Sequence, residues 1–527
     1  MPVALRQPSP DALLTLALSV LLCAVAFGGG GGLSLGPSTR VEMGLQLLGG
    51  LLGAAALLAG GVRRLHGGLS LALFALLAGV TIASIGWAVQ PADAWLESAR
   101  TLAYLATFGA GIALVRLAPN RWASLLGAVL LATLVVSAYA LATKVFPASL
   151  AADETYARLR EPFGYWNAVG LMAALGLPGC LWLGARRGGH AALSALATPA
   201  LGLLLVVVLL AYSRGSILAA AAGAAFWFAF VPLRLRGVAV LAPAVVGAGV
   251  VGAWAFRQDA LSNDRVPLDL RTTGGHELGL FVLGMLLVLT AVGLGLGFAR
   301  SRQAPSALLR RRVATAVLVV LALVPVAFAA KLAASDRGLG GSISHSWTQL
   351  TDPNASTPAN DPGRLTAVGS VRATYYDQSL KIYRSRPLYG AGAGGFATAR
   401  GRFRKDGYEV RHAHGYLFQT IADLGLLGLV STLLLFLAWV LAAAKTTGLT
   451  RTRWRTGPFD PERVGLLTLT SVVVVFGVHS AVDWTWFVPG NAVLALLCAG
   501  WVAGRGDSRL ALGTAAANAA PSRGPAG

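Results

Sequence analysis

Long apolar runs constrain the fold of this chain more than any other feature of its sequence. A helix needs roughly 20 apolar residues to cross a hydrocarbon core about 30 Å thick, and a window of that length finds about fourteen runs. They begin near Asp11, Met43, Gly68, Ser98, Trp122, Tyr165, Ala191, Gly215, Val238, Glu277, Val313, Gly415, Val464 and Gly490. The chain is 55% hydrophobic and 12% charged, whereas soluble domains carry about 25% charged residues. The sequence predicts an all-α integral membrane protein with about 12–14 transmembrane helices.

The charges predict which side of the membrane each loop faces. If the N-terminus is cytoplasmic and the spans alternate, the cytoplasmic loops are short, basic and almost free of acid, as the positive-inside rule requires. The opposite loops hold nearly all the carboxylates, namely Asp93, Glu97, Asp153, Glu154, Glu161, Asp259, Asp264, Asp269 and Asp336. Both termini are therefore expected in the cytoplasm. The net charge of +21 comes from these basic loops, so no nucleic-acid partner is expected.

This topology divides the chain into four parts. They are an N-terminal transmembrane bundle (1–334), a large extracytoplasmic loop (335–414), C-terminal transmembrane helices (415–505) and a cytoplasmic tail (506–527). The tail is rich in Ala, Pro and Gly and is predicted to be disordered. The loop, the turn 212–215 and the connection 162–167 are all predicted outside. Three polar elements that are far apart in the sequence should thus meet at one membrane face.

Arg214 lies between two apolar runs and is the first candidate binding residue. An Arg at membrane depth is unfavourable by at least a few kcal/mol and is usually kept for a partner or a substrate. Its guanidinium presents a fork of donors that fits phosphate oxygens. The alternative is an Arg that extends to lipid headgroups.

Residues 372–389 of the loop predict an amphipathic helix that ends at Pro387. One face carries Tyr376, Leu380 and Tyr383, while Arg372, Lys381 and Arg384 lie elsewhere on the helix. Such a helix either rests on anionic lipid or contacts a lipid-linked diphosphate, and both can hold together.

A glycine-rich segment, GAGAGGF, follows at residues 390–396. Gly392 and Gly394 allow positive φ and close backbone approach, so bare N–H groups could hold a phosphate. No Gly-Lys-Ser/Thr sequence follows, which excludes a Walker motif. A simple turn is the alternative.

His412 and His414 are the sharpest candidates for chemistry. A neutral imidazole can take a proton from an attacking hydroxyl, whereas no third ligand has a spacing that would complete a metal site. Asp423 in the next helix either orients groups or caps an interface. His479 and Asp483 lie one helical turn apart, and an intramembrane ionisable pair indicates function or a mutual hydrogen bond.

Three segments together resemble the O-antigen ligase and polymerase superfamily. The first is the block RSRPLYGAGAGGF, a basic stretch, HAH and YLFQTIADLGLLGL, which spans residues 384–429. The second is FGYWNAVGLMAALGLP, which contains Asn167, and the third is AYSRGSILA, which contains Arg214. Two positions depart from the family pattern, because Gly415 replaces the usual Asn and Asp423 the usual Glu.

The resemblance implies a GT-C-like glycosyltransferase of the bacterial cytoplasmic (inner) membrane. Its donor is a polyprenyl-diphosphate-linked glycan, its acceptor an unknown glycan, lipid or protein, and the lipid bilayer is its setting. Carried over by motif, the catalytic residues are His414, Arg214 and either Arg386 or Arg384. We predict that His414 activates the acceptor hydroxyl and that the arginines neutralise the leaving diphosphate. The reaction would invert the anomeric centre without a metal or other cofactor.

Two alternatives from other classes stay open beside a ligase or a polymerase. A secondary transporter would show inverted repeats and ionisable residues near the bilayer midplane. No clear repeat is found, and the polar residues are predicted at one face. The second alternative is a scaffold or signalling membrane protein.

Overall fold

The computed structural model describes residues 9–59, 65–302, 329–354, 358–405, 407–450 and 459–506, with scattered residues between 306 and 328. Within these residues the secondary structure is helical and contains no strand. The predicted all-α membrane fold is confirmed. The predicted span near Val313 and the tail beyond residue 506 lie outside the described residues.

The helices are numbered here in chain order. They are α1 (Pro10–Gly29), α2 (Leu35–Ala59), α3 (Gly68–Ala83), α4 (Pro91–Leu117), α5 (Trp122–Val145), α6 (Trp166–Ala185), α7 (Ala197–Leu210), α8 (Arg214–Phe230), α9 (Arg234–Ala255), α10 (Leu268–Arg302), α11 (Gly338–Thr351), α12 (Arg372–Ser385), α13 (Tyr416–Thr446), α14 (Pro461–Val482) and α15 (Pro489–Arg505).

Eleven of the described helices are long and apolar enough to cross a membrane, with α7 counted together with the short helix before it, Ala191–Ala195. Helices α8 and α15 have 17 residues each. Every predicted run apart from the one near Val313 corresponds to one of these thirteen helices. Apolar composition and length were sufficient to predict them, because backbone groups within a bilayer must be satisfied inside a helix.

Helix α6 is the centre of the bundle, and 94% of its most apolar 18-residue stretch is buried inside the protein. Helices α5, α7, α8 and α14 pack around it. Elsewhere, α4 and α15 approach through glycines, and a Cβ at Gly500 would lie 2.1 Å from the carbonyl oxygen of Phe108. Close backbone contact of this kind is a common way for membrane helices to associate.

The buried face of α12 differs from the predicted apolar face, although Tyr376 of that predicted face stacks on Phe418 of α13 with ring centroids 3.9 Å apart. The buried residues of α12 are Ala373, Tyr375, Gln378, Ser379 and Ile382, whereas Tyr376, Leu380 and Tyr383 are half-buried. Gln378 is buried because its side-chain oxygen accepts a 2.9 Å hydrogen bond from Arg400. The pattern of apolar residues alone gives no sign of that polar contact.

Helix α13 is broken at Gly425, where φ is 59°. The N–H groups of Leu426 and Leu427, which begin the second part, donate to the carbonyl oxygens of Pro387 and Leu388 at 2.9 and 3.1 Å. The short part of α13 before Gly425 therefore belongs with the loop, and the long part after it with the membrane bundle.

Candidate active site

A buried carboxylate, Asp483, is the centre of the polar cluster at one end of the bundle. It follows the last residue of α14 and has 0% exposure. One of its oxygens accepts hydrogen bonds from Arg372 (2.8 Å) and Asn167 (2.6 Å). The other accepts from the hydroxyl of Tyr165 (2.7 Å) and the N–H of Trp484 (2.8 Å). The carboxylate thus joins α6, the loop helix α12 and α14.

His414 lies beside this carboxylate, with its Nδ1 3.7 Å from an oxygen of Asp483. Its ring stacks on Tyr375 with centroids 5.5 Å apart, and its side chain is 22% exposed. Its backbone has a positive φ of 55°, and its carbonyl oxygen accepts a 2.9 Å hydrogen bond from Tyr376. Burial opposes ionisation of Asp483, but the contacts with His414 and Arg372 outweigh it and hold the pKa of Asp483 below its ordinary value. The histidine is therefore held next to a fixed negative charge, with an open side toward solvent.

Three arginines, Arg214, Arg364 and Arg372, lie close enough to one another for their charges to interact. Arg214 donates to the carbonyl oxygens of Ala367 and Gly369, and Arg364 donates to that of Pro358 at 2.9 Å. Arg372 is the one of the three that is paired with Asp483. Burial and the nearby charge of Arg372 lower the pKa of Arg364. Three neighbouring guanidinium groups, of which one is paired with Asp483, leave an excess of positive charge, which suits an anionic ligand.

Arg158 is a further buried part of the site that the sequence analysis missed. It is 2% exposed and donates to the side chain of Asn167 (3.2 Å) and to the carbonyl oxygens of Ala211 and Tyr212 (2.9 and 3.1 Å). Its guanidinium also lies 4.2 Å from the ring centre of Trp166. Arg158 positions Asn167 and the turn before Arg214. The sequence did contain one signal for Arg158, because an Arg is unusual in a predicted external loop in which most charged residues are acidic.

His412 points to the opposite side of the His-Ala-His segment from His414. Its ring stacks on Trp484 and Phe487, with centroids 4.9 and 4.4 Å away. Burial and the positive charge of Arg100 lower the pKa of His412 well below its ordinary value. Within the described part of the chain, its Nδ1 has no hydrogen-bond partner. This histidine is packed among aromatic rings as a neutral side chain.

His479 and Asp483 do not share the mutual hydrogen bond that their spacing allowed. The two ring nitrogens of His479 lie 3.1 Å from the hydroxyl of Ser216 and 2.9 Å from that of Thr485. Its side chain is completely buried. His479 therefore joins α8 to the segment after α14, while Asp483 faces Arg372 and His414.

Arg384 and Arg386 lie at the other end of α12 from Arg372. The helix has 14 residues, so the two ends are about 20 Å apart at a rise of about 1.5 Å per residue. Arg384 is exposed and Arg386 half-buried. Lys381 is exposed and paired with Asp377 at 2.6 Å. The structure thus places Arg372, and also Arg364, near Asp483 and His414. The catalytic role of Arg386 stays a prediction.

Part of this chain matches a known protein family. Residues 278–433 match the family model described as O-Antigen ligase. The resemblance to the O-antigen ligase and polymerase superfamily is confirmed. Among curated proteins, no match to the chain is found. The ligase match covers Arg364, Arg372 and His414, whereas Asn167, Arg214 and Asp483 come from helices outside it.

Within the ligase match, the glycine-rich segment binds a carboxylate of its own chain. The N–H groups of Gly394 and Phe396 donate to the Asp423 side chain at 3.0 and 2.8 Å, and that of Gly392 donates to the Asp423 carbonyl at 2.7 Å. Gly392 has φ 89°, and a Cβ there would lie 2.3 Å from Ala88. These N–H groups, which were predicted as a possible phosphate site, are occupied by Asp423.

Asp423 also connects the glycine-rich turn to the two histidines. Its side chain accepts a 2.8 Å hydrogen bond from the Gln419 amide, and the oxygen of that amide accepts a 2.7 Å bond from the N–H of Ala413. Ala413 stands between His412 and His414. The sequence left two roles open for Asp423, to orient neighbouring groups or to cap an interface. These hydrogen bonds favour the first role.

Gly415, one of the two departures from the family pattern, is explained by its surroundings. A Cβ at Gly415 would lie 2.9 Å from the hydroxyl oxygen of Tyr376. That hydroxyl donates to the carbonyl of His414. In this ligase-like chain, Tyr376 occupies the space next to the histidine that a side chain at position 415 would otherwise fill.

Among the described residues, no three His, Cys, Asp or Glu side chains are grouped as metal ligands. The positive charge near His414 belongs to guanidinium groups instead.

Proposed function

We propose that this protein transfers a glycan from a polyprenyl-diphosphate carrier to an acceptor hydroxyl at the outer face of the cytoplasmic membrane. The observation that carries the proposal is the placement of His414 and its buried partner Asp483 beside Arg214, Arg364 and Arg372. A proton acceptor and an anion site in contact are the two parts that such a transfer needs. The match to the O-antigen ligase family supports the same class of reaction.

His414 acts as the base in the proposed reaction. Its Nδ1 faces Asp483, so Nε2 is the nitrogen left to accept the proton of the acceptor hydroxyl. The negative charge of Asp483 stabilises the imidazolium that forms. The acceptor oxygen then attacks the anomeric carbon from the side opposite to the diphosphate, which inverts that centre.

The arginines receive the charge that develops on the leaving group. As the bond between the anomeric carbon and the phosphate oxygen breaks, the bonding electrons move to the diphosphate, which stays attached to the polyprenyl lipid. Arg214 and Arg364 donate mainly to loop carbonyls, and the Nε of Arg372 has no partner among the described residues. These guanidinium groups take the role that a divalent metal has in many transferases.

Reconstitution in liposomes with a polyprenyl-diphosphate glycan tests the proposal. We expect His414→Ala and Arg214→Ala each to lower transfer by about 10² to 10³, the usual loss when one such group is removed. Lys381→Ala, which removes an exposed lysine paired with Asp377, is the matched control and should keep most activity. Wild-type transfer by both site variants would contradict the proposed mechanism.

The choice of acceptor separates the members of this class. A second lipid-linked glycan as acceptor would make the protein a polymerase, and a different lipid or a protein would make it a ligase or an oligosaccharyltransferase. The same liposomes can report solute flux. Flux without glycan transfer would favour the transporter.

A further inference from the structure

Helix α11 turns its apolar side chains away from the protein. Its apolar stripe consists of Leu339, Ile343, Trp347 and Leu350. At 100° per residue these four lie within about 80° around the helix axis, and their exposure ranges from 42% to 68%. The side toward the protein is small and polar instead, because Ser342 is buried and its hydroxyl lies 3.0 Å from that of Ser335. A helix on a water-exposed loop would have the opposite orientation.

The surroundings of α11 indicate lipid as the partner of this stripe. Trp347 is 68% exposed, as exposed as Leu280 (70%) and Leu287 (63%) on the membrane-crossing helix α10. The 14 residues of α11 extend about 21 Å, too short for a hydrocarbon core of about 30 Å. The helix therefore fits along a membrane surface rather than across it, and tryptophan is enriched at that depth.

A hydrogen bond connects the segment after α11 to the candidate active site. Pro353 follows the end of α11, and its carbonyl oxygen accepts a 2.5 Å hydrogen bond from the hydroxyl of Thr374 in α12. Two residues earlier in α12, Arg372 is paired with Asp483. The apolar stripe and the arginine cluster thus belong to one connected part of the loop.

We infer that α11 is an interfacial helix whose apolar stripe inserts among the lipid acyl chains of the leaflet next to the site. It holds the loop and Arg372 at the depth where the diphosphate of a lipid-linked donor lies. The first statement is independent of the proposed function, and the second rests on it.

A fluorescent probe tests the position of α11. The full-length protein, with Cys23, Cys180 and Cys498 replaced by Ala, carries NBD on Ile343→Cys or, as the control on another face, His345→Cys. In phosphatidylglycerol and phosphatidylethanolamine vesicles we expect blue-shifted emission at position 343 that is quenched by nitroxide lipids. Position 345 should be quenched by iodide.

Two results would overturn the inference. Equal quenching by iodide at both positions would mean that the stripe faces water. Protection of position 343 from both quenchers would mean that protein covers it, such as a second copy of the chain.

Transfer assays test the second statement. The variant Ile343→Ser/Trp347→Ser should raise the apparent KM for a long-chain polyprenyl-diphosphate donor in vesicles by about tenfold, with His345→Ser as control. The KM for a detergent-dispersed short-chain donor should be unchanged. Equal effects on the two donors would contradict the role of α11. Absence of transfer by wild type would instead contradict the proposed function, and the probe data would still decide where α11 lies.

Discussion

A single buried carboxylate, Asp483, fixes the relative positions of residues from four parts of the chain. It accepts hydrogen bonds from Tyr165, Asn167 and Arg372 and stands beside His414. A buried charge is stable only when several donors surround it, so each of these contacts also keeps Asp483 ionised. The geometry of the base and the charge of the anion site consequently depend on the same side chain.

Substitutions of Arg364 and Arg386 test whether the arginine near Asp483 in the structure or the arginine predicted from the sequence motif binds the diphosphate. Arg364→Ala should lower transfer by about 10² or more, because it removes a guanidinium from the anion site. Arg386→Ala should change transfer by less than about threefold, since Arg386 lies at the far end of α12. Initial rates in the reconstituted assay measure both. The reverse order of effects would show that the loop moves Arg386 to the diphosphate during the reaction.

His412 makes stability depend on pH in a direction that its burial sets. Its pKa in the folded protein lies well below the ordinary 6.5, so the unfolded chain binds a proton first as the pH falls below about 6.5. Stability should therefore fall from that pH downward, by up to about 1.4 kcal/mol per pH unit from this group.

The variant His412→Phe keeps the stacking with Trp484 and Phe487 but cannot titrate. Between pH 7.5 and 5.5 its thermal unfolding midpoint in detergent should fall less than that of wild type. His190→Phe, at an exposed loop position, should follow the wild type. Parallel curves for His412→Phe and wild type would contradict a neutral, buried His412.

The sequence identified some of these residues and not others for a physical reason. Arg214 and His414 stand out because a charged or ionisable side chain beside an apolar run is unfavourable unless it has a partner or a function. Arg158 lies in an irregular loop and Arg364 in a 3₁₀ helix of four residues, Pro362–Leu365, and neither is long enough in regular structure for a periodicity to indicate which way a side chain points. The position of Arg158 also depends on a distant segment, because its guanidinium donates to the carbonyl oxygen of Ala211.

At the scale of elements, the glycine-rich turn and the break in α13 form one interlocking unit. Gly392 and Gly394 donate to Asp423, while the N–H groups after Gly425 donate to Pro387 and Leu388. The residues just before the turn thus supply acceptors for the backbone donors that the break in the helix exposes. The sequence alone left both a phosphate site and a simple turn open, because both use glycines in the same way.

Gly425→Ala tests this interlocking unit. Its φ is positive, and a Cβ would lie 2.6 Å from the carbonyl oxygen of Pro387, so we expect a loss of about 1–3 kcal/mol in stability. The measurement is the unfolding midpoint in detergent. Gly79→Ala is the control, because a Cβ at Gly79 meets no atom within 4 Å. Equal midpoints for the two variants would mean that α13 can straighten without penalty.

At the scale of the whole molecule, hydropathy predicts the spans well and the site only in part. Thirteen of the predicted runs coincide with helices, since the bilayer imposes both length and composition. The convergence of the connection 162–167, the turn before Arg214 and the loop was also expected from sidedness, and hydrogen bonds join all three. The packing partners of each helix were not predictable, because nearly every face is apolar. The assignment of each loop to the cytoplasm or the exterior stays a prediction.

The break at Gly425 has a mechanical consequence for a protein in membranes of varying thickness. Long helices respond to hydrophobic mismatch by changing their tilt. The part of α13 after Gly425 can tilt in this way, whereas the part that follows His414 is fixed by Gln419 and Asp423 to the loop. We therefore expect His414 to keep its position in the loop when the bilayer around the bundle becomes thinner or thicker.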